Sequence, residues 1–132
     1  MLAVGASLIF VNTGHPVEAE RWADALDRWQ YRDPARRHDP ATAAWVATVR
    51  AFFCRQGVEQ MRADADEAAR KSVEAGIALP AAAEAQGIAR VLCGDLEGGD
   101  AFLAEAATAR EADIAVETLV NSLRACLRTC RR

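Results

Sequence analysis

A glycine turn that opens an amphipathic stretch, Gly94 to Ala106, constrains this chain more than any other feature, because related segments begin at Gly14 and Gln56. Counted from each anchor, position five is Ala19, Met61 or Gly99, position eight is Trp22, Asp64 or Phe102, and position twelve is Leu26, Ala68 or Ala106. Residues three and four apart share a helix face, so Gly99, Phe102 and Ala106 form one packing stripe. A small residue within that stripe lets two helices approach closely. Gly14 and Gly94 can each supply a left-handed residue at the end of the helix before, whereas the middle turn has Gln56 in that place. The anchors are 42 and 38 residues apart, within the range of stacked helical repeats. The expectation is an all-α array of helical hairpins.

Composition agrees with that expectation. With 52% hydrophobic residues the chain is not disordered, and a mean hydropathy of -0.06 excludes an integral membrane protein. Alanine is abundant and aromatics are 6% of residues, which favours helix over sheet. A net charge of -3 gives no global attraction to nucleic acid or anionic lipid. The cysteines, at positions 54, 93, 126 and 130, make no close-spaced framework, and a reducing cytoplasm is the expected compartment.

The apolar run from Leu2 to Val11 has the length of a signal-peptide core, but no Lys or Arg precedes it and no small-residue cleavage site follows. It reads as a first buried helix with Val4, Leu8 and Val11 inward. A second helix runs from Pro16 to about Tyr31, burying Ala19, Trp22, Ala23, Leu26 and Trp29 and exposing Glu18, Glu20, Asp24 and Asp27. Residues 33–40, with two prolines, read as the main linker, in which Asp39-Pro40 is the cap and first position of the next helix. Helices are then expected over about 40–55, with Trp45, Val49, Phe52 and Phe53 inward, 58–75 with Gly76 as its C-cap, and 80–93 carrying Ile88, Val91 and Leu92. A further helix runs from the Gly94 turn to about Ala112, and a last one over about 114–130 buries Leu119, Leu123, Cys126, Leu127 and Cys130. These make hairpins over about 2–31, 40–75 and 80–112 and a lone last helix in one domain, 1–132. Helices one and seven lack a covering neighbour, so self-association as a homodimer is a further expectation.

Signatures of chemistry are sparse. Cys126 and Cys130 share a helix face, but neither histidine, His15 or His38, is placed to complete a metal site, so no metal is expected. Asp95, Glu97, Asp100 and Glu105 do not follow the alternation of a calcium loop. Carboxylate pairs such as Asp24 with Asp27, or Asp64 with Glu67, read as solvent-facing groups with nothing to raise a pKa. There is no phosphate-binding loop, nucleophile elbow or HExxH, so neither a cofactor nor enzymatic activity is expected. No short helix-turn-helix is present either, which argues against direct nucleic-acid binding by this chain. Arg50, Arg90 and Arg124 each lie on the first helix of a hairpin. In stacked repeats those helices line the concave surface, where arginines could receive an acidic peptide or an anionic effector.

Three segments, Gly14-x-Pro16-x-Glu18-Ala19-Glu20-Arg21-Trp22, Gln60-Met61-x-x-Asp64-Ala65 and Gly94-Asp95-Leu96-x5-Phe102-Leu103-x-Glu105-Ala106, occur in the order that resembles the tetratricopeptide-like region of large LuxR-family regulators of the MalT type. The resemblance implies a tetratricopeptide-like right-handed α-solenoid of about seven helices. It also implies a sensing and self-association arm that binds a protein, a peptide or a small effector and biases the orientation of attached domains. The family's nucleotide- and DNA-binding modules have no counterpart here, so none of their residues can be carried over. A free-standing homodimeric adaptor is the alternative, and an all-helical enzyme, which would need buried titratable groups around one cavity, is a remote one.

Overall fold

Pro16, Pro34, Pro40 and Pro80 each stand in the first turn of a helix, where the missing N–H has no intrahelical partner to lose and the fixed φ suits the helix. The computed structural model describes residues 6–8, 11 and 13–109. Its elements are α1 (Pro16–Tyr31), α2 (Pro34–His38), α3 (Pro40–Phe53), α4 (Val58–Ala75), α5 (Pro80–Leu92) and α6 (Leu96–Ala109). Residues 6–8 and 11 are helical as well, and no strand occurs among the described residues. The last turn expected for the Gly94 helix, the lone helix over 114–130, Arg124, Cys126 and Cys130 lie outside the described residues.

The connections are short, so consecutive helices pack side by side as hairpins. α3 packs along α4 and α5 along α6, α4 then lies against α5, and α1 and α5 both touch α3. At the α5–α6 turn Gly94 takes φ +90°, and the Asp95 N–H donates to the Arg90 carbonyl at 2.9 Å. The α3–α4 turn is built differently. Gly57, not Gln56, takes the positive φ of +88°, and Cys54 takes a left-handed φ of +46°, a conformation that glycine or asparagine usually supplies.

The three related segments share one pattern of burial. Position five is buried in each (Ala19, Met61, Gly99), as is position twelve (Leu26, Ala68, Ala106), while position eight (Trp22, Asp64, Phe102) is half-buried. Alanine supplies twelve of the eighteen buried apolar residues among those described, and side chains this short bring helix axes together. α5 and α6 come close where both present glycine. A Cβ on Gly99 would fall 2.5 Å from Val91 Cγ2, and one on Gly87 would fall 2.6 Å from Leu103 Cγ.

Three sequence expectations need correction. The presumed linker over 33–40 contains α2, because Asp33 caps it by accepting from the Ala35 N–H at 3.0 Å, as Asp39 caps α3 by accepting from the Thr42 N–H at 2.8 Å. Trp29 is not inward. The buried stripe of α1 is Ala19, Ala23, Leu26 and Gln30, which leaves Trp29 at its edge, 36% exposed, with the Arg36 guanidinium 4.4 Å over its ring. Leu92 is 56% exposed although it shares a helix side with the buried Ala85 and Ala89, seven and three residues before it; it is the last residue of α5.

Candidate functional site

Glu20, Asp24 and Asp27 recur every three to four residues along α1 and form one acidic stripe. Two arginines meet it from the end of α3. Arg50 occupies the last turn of α3, where the helix dipole favours a cation, and Arg55 follows in the turn that the left-handed Cys54 creates. Arg50 donates to Asp27 Oδ1 from both Nε, at 3.2 Å, and Nη2, at 2.8 Å. Arg55 pairs with Glu20, with Asp24 at 2.9 Å and more loosely with Asp27 Oδ2 at 3.9 Å. Its guanidinium also lies 5.4 Å over the Phe53 ring. Burial alone would lower the Arg55 pKa, yet Glu20 and Asp24 hold it above its ordinary value.

Of these groups Asp27, Arg50 and Arg55 rim a cleft of about 310 Å³ between α1, α3, the 54–57 turn and the first half of α4. Ala23, Val49, Phe53 and Met61 give it an apolar floor, and Tyr31, Gln60 and Asp64 complete the wall. Asp64 is half-buried and accepts a hydrogen bond from Gln60 Nε2 at 3.1 Å. Its pKa is raised, chiefly by burial. The Gln60 hydrogen bond and the charge of Arg50 oppose the rise, and the charges of Asp27 and Glu67 add to it. The sequence reading placed Asp64 on a solvent face with an ordinary pKa, and the structure corrects this: its α4 register turns it toward α1 and α3. Glu67, one turn on, is instead paired with Arg70 at 2.6 Å.

Of the arginines singled out in the sequence, Arg50 lies in this cleft and Arg90 lies elsewhere. Arg90 on α5 reaches Asp66 Oδ1 on α4 at 3.5 Å and stacks 4.7 Å over the Phe102 ring, and Gln86 shares Asp66 at 2.7 Å. Arg124 lies outside the described residues. Arg50 and Arg90 thus play parallel parts. Each joins the first helix of one hairpin to an aspartate on the second helix of the hairpin before, 23 and 24 residues upstream.

The packing positions are placed as follows. Gly14 and Gly94 are in left-handed turns, Ala19, Met61, Gly99 and Ala106 are buried, and Phe102 lies under Arg90. Trp22, half-buried, sides a shallow depression that is lined, among the described residues, by α1. Sequence reasoning missed the acidic stripe as a binding element, although three acids on one helix face and two arginines five residues apart were a usable signal. Among the described residues no group of three or more His, Cys, Asp or Glu could hold a metal ion, and no helix is long and apolar enough to cross a membrane. Glu84, buried on α5, is not part of the cleft wall. No protein-family model, curated protein or solved structure matches the chain.

Proposed function

We propose that this chain is a non-catalytic binding module, a tetratricopeptide-like right-handed solenoid of stacked hairpins that takes a protein or peptide partner in the cleft between α1, α3 and α4. The observation that carries this reading is the repeated arginine–aspartate link between successive hairpins, Arg50 to Asp27 and Arg90 to Asp66. Each link ties one hairpin to the next, as a stacked array requires. The first of them also builds the wall of a concave cleft with an apolar floor and a polar rim, the usual character of a binding site. In the regulatory setting that the sequence resembles, a MalT-type LuxR regulator, occupancy of the cleft would bias the orientation of neighbouring domains without chemical change in the ligand.

The test is selection of random displayed peptides on the intact chain, repeated on the Gln60→Trp variant, which fills the cleft from an exposed wall position. Peptides that bind the chain and lose binding with Gln60→Trp support the reading. Absence of enrichment, or enrichment indifferent to that substitution, refutes it. The regulatory setting has its own check: a native polypeptide far larger than 14.2 kDa, carrying nucleotide- and DNA-binding modules, supports it, and one of about that size removes it.

A further inference from the structure

The partner's chemistry can be argued from how the cleft has already spent its charges. Arg50 directs two N–H groups at Asp27 Oδ1, and Arg55 is engaged by Glu20 and Asp24. An anionic ligand would have to displace carboxylates from both guanidiniums while meeting those same carboxylates at close range. Asp27 and Asp64 line the cleft beside Arg50 and Arg55, while Glu20 and Asp24 lie outside its lining and neutralise Arg55, so the cluster as a whole, four carboxylates to two arginines, carries an excess of negative charge.

Two of the carboxylates keep acceptor capacity toward the opening. Asp27 gives Oδ1 to Arg50, while its Oδ2 has Arg55 only at 3.9 Å. Asp64 has its hydrogen bond from a neutral amide, Gln60, and a carboxylate can accept several more. Around them lie an apolar floor, Val49, Phe53 and Met61, and the ring of Tyr31, which is 64% exposed. Methylene stems of long basic side chains favour such a floor, and their cationic heads favour carboxylates and aromatic faces. A volume of about 310 Å³ suits one or two side chains of an extended segment.

We infer that the cleft binds a basic peptide segment, seating a lysine or arginine side chain with its stem over Phe53 and Met61 and its charged head between Asp27 and Asp64. This rests on the cleft being the binding surface proposed above. It reverses the expectation drawn from the arginines in the sequence, because Arg50 serves to hold Asp27 in place and leaves little positive charge to offer. Charge complementarity then sets both the sign of the partner and the salt sensitivity of the complex.

The experiment titrates a short fluorescent peptide of alternating glycine and arginine, and a glycine–glutamate peptide of equal length, against the intact chain and three variants. Asp64→Asn removes the proposed anchor while keeping its shape and breaks no ion pair in the wall. Glu97→Gln, exposed on α6, makes the same change in net charge away from the cleft. Gln60→Trp blocks the cleft. Loss of one charge-assisted contact predicts about tenfold weaker binding of the arginine peptide to Asp64→Asn. Binding should be unchanged with Glu97→Gln, lost with Gln60→Trp, and not measurable for the glutamate peptide. Equal losses with Asp64→Asn and Glu97→Gln would reduce the effect to net charge and overturn the inference. So would cleft-dependent binding of the glutamate peptide, or no binding of the arginine peptide. In those cases cleft-dependent enrichment in the random selection would still stand for a binding module with another class of partner. Failure of that selection too would remove both.

Discussion

Gly87 and Gly99 face each other across α5 and α6 so closely that a Cβ on either would lie 3.0 Å from the carbonyl oxygen of the other. Such contact is possible only where both helices present bare backbone, and it fixes the separation of the third hairpin. Alanine at Gly99 would gain about 1 kcal/mol of helix propensity. It would also press on Val91 Cγ2 and on backbone, and overpacking costs about 1–3 kcal/mol. Gly99→Ala and Gly87→Ala are therefore each expected to lower stability, by up to about 2 kcal/mol net of these two effects. Urea unfolding of each variant reads this directly, and a gain in midpoint for either would show that the helices can separate at no cost.

The two arginine links should differ in strength. The Arg50–Asp27 pair keeps 40% and 31% of its side-chain exposure, so a double-mutant cycle with Arg50→Met and Asp27→Asn should give a coupling of about 0.5–1 kcal/mol that shrinks with salt. Arg90 is 19% exposed and covers the Phe102 ring. Arg90→Met should therefore cost about 1–2 kcal/mol, much of it insensitive to salt. Equal salt dependence for the two would contradict the stacking assigned to Arg90.

Acid should separate Asp39 from Asp64. Hydrogen bonds from Thr42, from its side chain first and then its N–H, hold the Asp39 pKa below the ordinary value of 3.8. Its stabilisation of α3 is present above that value and lost as the pH falls through the lower, folded-state one. Asp39→Ala should thus lower the melting temperature near neutrality, with the deficit closing in acid.

Asp64 has the opposite sign. Burial raises its pKa, so it favours the folded state below 3.8, and that contribution is lost as the pH rises through the raised value. Asp64→Asn should melt at or above the parent temperature near neutrality, with the difference closing in acid. Thermal melts across pH check both carboxylates, and a deficit for Asp64→Asn at neutral pH would contradict the burial described for it.

Legibility of the fold followed the range of the interactions. Helix starts at Pro16, Pro40 and Pro80, the stop at Gly76 and the turn at Gly94 are set by neighbours within a few residues, and all could be read directly. Asp33-Pro34 carries the same cap-and-proline signal as Asp39-Pro40, and α2 was missed only because two nearby prolines suggested a linker. Cys54 gave no warning of its left-handed φ, since cysteine is not among the residues that usually take that conformation. The cleft was half legible. Arg50 could be named, but its aspartate lies 23 residues upstream on a helix whose crossing with α3 no local pattern encodes. The burial of Asp64 depends on the same crossing.

The alanine-rich contacts bear on how the protein can choose among partners. An alanine has no rotamer to change and no side-chain entropy to give up. Where Ala44, Ala47, Ala51, Ala65 and Ala68 hold α3 against α4, a bulkier visitor cannot be met by repacking, as a leucine or methionine interface would allow. The gap between those helices works as a fixed gauge. Adaptation in the adjoining cleft falls to its longer side chains, Met61 on the floor and Arg55 and Gln60 at the rim, so families of ligands should sort first by what fits between fixed helices and only then by what those side chains can reach.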